Sequence, residues 1–432
     1  MYFKDKEPVN CNMKEIFNKE IPSENIRMKP TFLLVLICGY IFLAIERPWE
    51  SVSMFNGVRI ERYYAIFMII IAMGEKKFIL VESPTNKWVL GLLSLHFILA
   101  PFAFNPSFAV EQGLEYSKVI VLYILMLAIT NDEKTLKLIL KAYVFSMIFY
   151  VLHSLWEFHN GRHAYRMGIV RMIGVDSTFN DPNSFGASIV LSFPIVYALV
   201  RFETKYWIRK LYYSYFFIAV VCVVLTGSRT SFVAMVFAFL ILVIKQKGKN
   251  IIIGILIALI ACGIIWNFMP EDKKVRIQSI WDEDAGPKNA HESAMGRFLG
   301  LEASWEMFKQ APFTGVGAGG KNYIGYRILY GDHAPFQAHI LYGEVIAELG
   351  IIGAFFFTGL ILSMLRCCKS LEPSDSFLYA FGRAIIACIL LLLVFGIGGH
   401  NFYRPMWLWL AAWSGSLLRL SIKHSSATFQ KL

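Results

Sequence analysis

Apolar runs close to the thickness of a bilayer core recur along most of the chain, separated by short polar segments. Crossing that core takes ~17–25 predominantly apolar residues in a helix, since hydrocarbon offers the backbone no hydrogen-bond partner. The pattern predicts about twelve spans, near 31–46, 60–74, 88–104, 118–131, 137–157, 185–200, 211–227, 229–245, 250–268, 337–365, 379–397 and 403–421. The run over 337–365 exceeds a straight crossing, so it is expected to tilt, kink or extend beyond the membrane on its loop side. One long polar segment, 269–336, breaks the series. Inside it, Ser293 to Lys309 sets Phe298, Leu301, Trp305 and Phe308 on one face, an amphipathic helix that lies on the membrane surface or on the bundle. It stops before Pro312, and Thr314-Gly-Val-Gly-Ala-Gly-Gly320 follows as a turn suited to close backbone approach. The expected fold is all-α, a polytopic transmembrane helix bundle with one large outer-face loop. Its parts are a tail over 1–30, nine helices over 31–268, the loop 269–336, three helices over 337–421 and a tail over 422–432.

Composition agrees: the chain is 56% hydrophobic and 17% charged, whereas apolar usage in soluble domains is about 45–50% even with glycine counted. Orientation follows from basic residues in short loops. An even number of spans puts both termini on one side, together with Lys4, Lys6, Lys76, Lys77, Lys134, Lys137, Arg201, Lys205, Lys245, Lys247, Arg366 and Lys369, and that side is read as cytoplasmic. The net charge of +11 is then topology and contact with anionic lipid. No basic motif interleaved with aromatics points to nucleic acid, and none is expected as a partner. The seven cysteines show no disulfide or zinc spacing.

The candidate chemistry lies in the outer segments. His339 sits at the mouth of an apolar helix that also carries Glu344 and Glu348, and intramembrane ionisable groups are functional suspects. Arg171, Arg229 and Arg297 converge on the same surface under this topology. A guanidinium fork binds phosphate through paired, charge-assisted hydrogen bonds, and a histidine can take a proton from an attacking hydroxyl near neutrality. Taken singly, each arginine reads first as a headgroup anchor or a cap for neighbouring carbonyls. Arg229, between two apolar runs joined by almost no loop, needs an anion nearby. Glu344 and Glu348, one helical turn apart, are its natural internal partners, with Glu348 read as a structural ion pair about 13 Å below His339 on a straight helix. Arg404 and Lys118 are reserve anion ligands, and Gly398-Gly-His400-Asn401 supplies a second histidine. Asn180-Asp-Pro-Asn183 reads as a helix cap, and Tyr403, Trp407 and Trp409 as an interfacial aromatic belt.

Gly296-Arg297 followed by Trp305, then Ala311-Pro312-Phe-Thr-Gly315-Val-Gly317, then Ala338-His339 leading to Glu348-Leu-Gly350 and Gly353, resembles the loop-to-helix signature of the O-antigen ligase and polymerase superfamily of bacterial membrane glycosyltransferases. Where that family often has asparagine after the histidine, this chain has Ile340. The resemblance implies a metal-independent, cofactor-free transfer of a glycan from undecaprenyl diphosphate to an acceptor hydroxyl, on the periplasmic face of the inner membrane. It gives Arg171, Arg229 and Arg297 the donor diphosphate and His339 the role of base. The acceptor is the lipid A core in the ligase branch and another glycan in the polymerase branch, and the signature does not separate the two. A transporter or lipid flippase is the alternative of another class, with Glu344 and Glu348 as a proton relay. Such proteins often show repeat symmetry around a midplane site, which this sequence lacks.

Overall fold

The computed structural model describes residues 31–51, 58, 60–166, 168–176, 180–244, 249–279, 282, 289–373 and 376–429. The tail over 1–30, with Lys4, Lys6 and Cys11, lies outside the described residues, as do Lys245 and Lys247. The chain is a helical membrane protein. Its elements are α1 (Phe32–Glu46), α2 (Pro48–Ser51), α3 (Ile60–Gly74), α4 (Asn86–Ile98), a 3-10 turn (Ala100–Phe102), α5 (Pro106–Ile129), α6 (Glu133–His159), α7 (Pro182–Phe202), α8 (Tyr206–Leu225) and α9 (Arg229–Ile244). There follow α10 (Lys249–Phe268), α11 (Glu271–Gln278), α12 (Asn289–Gln310), α13 (Gly320–Tyr330), α14 (Leu341–Lys369), α15 (Ser376–Gly396) and α16 (Met406–Phe429).

A helix falls on each of the twelve expected spans. Among the described residues, seven helices are long and apolar enough to cross a membrane: one over Phe32–Glu50, then α5, α6, α7, α8, α14 and Phe377–Gly396 of α15. The shorter ones, α3, α4 and α9, are equally apolar in pattern but span only 15, 13 and 16 residues. Between α6 and α7 stands an antiparallel hairpin, β1 (Ala164–Arg166) paired to β2 (Ile169–Arg171). The cap reading holds, since the Asp181 side chain accepts from Ser184 N–H at 2.9 Å and Pro182 opens α7 at a position with no donor to lose.

The core runs through the bundle, with α7 buried on nearly every face. The aromatic-belt reading fails for two residues. Trp407 and Trp409 are buried in the core, Trp407 against Phe357 and Trp409 against Tyr143.

The loop helix α12 also packs differently from its apolar stripe. Phe298 and Trp305 are exposed, while Gly300, Ser304 and Met307 face the bundle. A Cβ on Gly300 would lie 2.5 Å from the Ala338 carbonyl oxygen, so only glycine lets the helix come this close. Small residues set the contact, as in membrane helix pairs generally, where apolar stripes gain nothing by leaving lipid.

The expected distortion of the 337–365 run is a break. The helix begins at Leu341, and Gly350 inside it takes φ 62° and ψ −160°. Residues 312–317 cross the broken stretch and replace its hydrogen bonds. Ile351 N–H donates to the Pro312 carbonyl at 2.8 Å, and Val316 and Gly317 N–H donate to the Ala347 and Glu348 carbonyls at 2.8 and 3.1 Å. Irregular backbone within an apolar helix is tolerated where protein satisfies it. Both backbones need glycine at the crossing: a Cβ on Gly315 would lie 2.3 Å from the Glu348 carbonyl carbon, and one on Gly350 2.5 Å from that of Phe313.

Candidate active site

The site forms at the end of the bundle that carries segment 269–336. His339 stands two residues before α14, between buried Ala338 and Ile340, with its own backbone at φ 51°. This left-handed turn, uncommon for a residue with a side chain, leaves the ring in the open while both neighbours are packed. The approach to it is fixed by Arg327 on α13, which forks onto both carboxylate oxygens of Asp332 at 2.6 Å and donates to the Phe336 carbonyl at 3.0 Å. His333 is held elsewhere, with Nδ1 2.6 Å from the Ile328 carbonyl.

Across from His339 lies the turn between α15 and α16. His400 sits on it with Nδ1 3.3 Å from His339 Nδ1, the two ring centroids 5.1 Å apart. Both residues keep a solvent-exposed side, but partial desolvation among the surrounding elements disfavours the charged imidazole, and so do the nearby guanidinium groups. His339 is held below the ordinary histidine range, with Arg297 the next cause after burial, and His400 is pushed down to about 4. Both shifts favour the neutral imidazole.

Arginines surround this pair. Arg297 on α12 reaches the Gly398 turn: a Cβ placed on Gly398 would lie 3.5 Å from its Cζ and 2.9 Å from Oγ1 of Thr230, the neighbour of Arg229. Arg229 Nη1 donates to Ser279 Oγ at 3.2 Å. Arg171, 1% exposed, donates to the Thr226 carbonyl at 2.7 Å and to Asn183 Oδ1 at 3.0 Å, tying the hairpin to the α8–α9 turn and to α7. Arg276 on α11, which the sequence reading missed, donates to the Gly227 carbonyl at 2.7 Å on the same turn.

The guanidinium groups depress one another. Burial pushes Arg171 down to about 9 with Arg276 as the next cause, and Arg276 to about 10 with Arg229 and Arg297 next. Arg404 is driven to about 10, by burial. Asp181 is the acid whose charge opposes this trend at Arg171, His339, His400 and Arg404 alike. Among the described residues, the side chains of Arg297 and Arg404 make no hydrogen bond.

Of the residues singled out from sequence, the fold thus brings together His339, Arg171, Arg229, Arg297 and Arg404. Lys118 stands apart, paired with Glu115 at 2.5 Å on the exposed side of α5. The ion-pair expectation for Glu348 is corrected. Among the described residues neither Glu348 nor Glu344 forms a salt bridge with Arg229 or another cation, although the charge of Glu344 acts on Arg404. Glu344 accepts the Phe402 N–H at 3.0 Å, and Glu348 accepts the Gly319 N–H and the Tyr403 hydroxyl, both at 2.6 Å. They bind the His400 turn and the glycine-rich turn to α14.

Beside the cluster a groove of about 650 Å³ opens between α6 and α8, lined by Leu152, Leu155, Trp156, Phe158, His159 and Leu225. Leu225 adjoins Thr226, the residue whose carbonyl receives Arg171, so apolar groove and guanidinium cluster are neighbours. Among the described residues, no three histidine, cysteine, aspartate or glutamate side chains gather as a metal-binding group.

No curated protein matches the chain. Residues 214–358, from α8 through the large loop and the His339 mouth to beyond the break in α14, match the family model described as O-antigen ligase, and with that match the chain's resemblance to the O-antigen ligase and polymerase superfamily stands.

Proposed function

We propose that this protein transfers a glycan from undecaprenyl diphosphate to an acceptor hydroxyl on the outer face of the bacterial inner membrane, as an O-antigen ligase. The observation that carries the reading is the gathering of Arg297, Arg404 and the Arg229 turn around the His339–His400 pair, with the side chains of Arg297 and Arg404 making no hydrogen bond among the described residues. A diphosphate supplies an anion for Arg297 and Arg404, and paired guanidinium forks fit its oxygens. Arg171 and Arg276 hold the α8–α9 turn and add charge from behind it. The groove between α6 and α8 offers an apolar surface beside that charge, as a lipid-linked donor requires.

In the transfer, His339 Nε2 takes the acceptor hydroxyl proton as its oxygen bonds the anomeric carbon. The bond from that carbon to the diphosphate oxygen breaks, and its electron pair leaves with the diphosphate, where the arginines stabilise it. The proton on His339 then passes to the departing diphosphate or to water. The guanidinium groups supply the positive charge, so the step is metal-independent. Lipid A core is the acceptor under the ligase reading; the polymerase reading replaces it with a second glycan.

Purified protein in detergent, given lipid-linked glycan and either acceptor, tests this. Coupled product without an ion gradient is expected, and the productive acceptor separates ligase from polymerase. Gradient-dependent movement of intact donor lipid across proteoliposomes, with no coupled product from either acceptor, would establish a transporter instead.

A further inference from the structure

His339 and His400 are 61 residues apart in sequence, yet their Nδ1 atoms lie 3.3 Å apart. Two neutral imidazoles in that geometry share one hydrogen, and which ring donates decides what the other nitrogens can do. With His400 as donor, the Nδ1 lone pair of His339 is occupied and its Nε2 carries the proton, so the ring has no free lone pair for a substrate. With His339 as donor from Nδ1, its Nε2 is free and basic.

We propose that His400 is a positioning residue for glycan transfer: its Nδ1 accepts the Nδ1–H of His339, fixing the tautomer whose Nε2 faces the acceptor hydroxyl, and it keeps that hydrogen bond when His339 becomes imidazolium. The inference rests on His339 being the base.

The surroundings favour this assignment. His339 faces Arg297 from α12, Arg166 from β1, Arg327 from α13 and Asp181 from the cap of α7; His400 faces His339, Arg404 and Asp181. Arg404 and a charged His339 both disfavour a proton on His400, so it stays neutral and able to accept when His339 takes a proton. Its turn is also rigid. Asn401 Nδ2 donates to the Leu392 carbonyl at 2.8 Å, Trp407 Nε1 donates to the Asn401 carbonyl at 3.0 Å, and Phe402 N–H is anchored on Glu344. A ring that only filled space would not need its nitrogen aimed at another ring. The logic is that of a general base oriented by a third group through its far nitrogen.

His400→Phe keeps a ring without an acceptor, and His400→Gln keeps an acceptor without a ring. The Phe variant is expected to lose about 10- to 100-fold in kcat, the scale on which partners behind a ligating or reacting imidazole act, with donor KM within about two-fold of wild type. Its acid limb should move to lower pH, because the imidazolium loses the acceptor that stabilises it and His339 binds its proton less tightly. The Gln variant should recover most of kcat. In ¹⁵N-histidine spectra, the His339 proton should move from Nδ1 to a mixture with Nε2 in the Phe variant. Equal losses in Phe and Gln with an unmoved acid limb would make His400 a packing residue and overturn the inference, as would full activity in His400→Phe. Neither result touches the base itself: an active His339→Ala would sink that reading, whatever His400 does.

Discussion

Two polar regions lie within a few helical turns of each other, and they treat their polar groups in opposite ways. At the crossing of residues 312–319 with the broken α14, polar groups find partners across the break: Ile351 finds Pro312, Val316 and Gly317 find Ala347 and Glu348, and the two buried acids receive N–H and O–H donors. In the basic cluster above it, cations face one another, Asp181 is the acid that opposes most of them, and among the described residues the side chains of Arg297 and Arg404 make no hydrogen bond. A buried polar network that is complete holds a structure together; one that leaves charge uncompensated costs stability. The first region is a weld and the second is the proposed site. The glycines and Glu348 of the signature serve the weld, and the arginine and histidine are the residues proposed for the site.

The sharpest way to break that contrast is to remove the base. His339→Ala is expected to lower the transfer rate by ~10²–10⁴-fold, the usual contribution of general-base catalysis, while donor binding survives. His333→Ala, whose ring bonds the Ile328 carbonyl, should leave the rate near wild type. Activity assays beside donor-binding measurements check both, and a dead His333→Ala with an active His339→Ala would move the base elsewhere. In the wild type, the acid limb of the pH–rate profile should fall below the ordinary histidine pKa of about 6.5, because burial and Arg297 disfavour protonation of His339. Activity is lost only as the pH drops through that lowered value.

Next in size are Arg229→Lys and Arg297→Lys. Both keep charge and lose the planar fork, so a diphosphate clamp should weaken by about 1–3 kcal/mol, or roughly 5- to 150-fold in kcat/KM. Normal turnover in both would demote these residues to lipid anchors and erase the distinction between weld and site.

The weld itself should respond in stability rather than in chemistry. Gly350→Ala places a Cβ 2.5 Å from the Phe313 carbonyl carbon in a residue with positive φ, costing at least ~1–3 kcal/mol in strain. Thermal unfolding in detergent should show it, with activity per folded molecule nearly unchanged. Gly263→Ala on α10, where a Cβ meets nothing within 4 Å, is the control and should not destabilise. A Gly350→Ala variant of normal stability but dead in turnover would mean that the crossing takes part in the chemistry.

How much of this was legible in the chain follows from the range of the forces involved. Helix positions depend on local apolar length, so each expected span meets a helix, and the amphipathic stretch within 269–336 is α12. Residue type and place also sufficed to single out His339 at a helix mouth and arginines near the same surface. The length of the 337–365 run required a distortion, though not its form. Partners were beyond reach, because they join residues far apart in sequence through packing that local pattern does not encode. Glu348 is one helical turn from Glu344 and was paired in sequence with a cation; the fold gives it Gly319 and Tyr403. Arg276 looks like any surface arginine of α11 until the turn at Gly227 closes over it. The stripe of α12 named its apolar face correctly but not its packing face, since contact here is set by how closely Gly300 lets two backbones approach. The sequence by itself determined a helical membrane protein with a histidine and arginines at one end of the bundle. Only the tertiary structure decided which of them meet, because long-range closure and close packing, rather than local hydrophobicity, set the distance between His339 and His400.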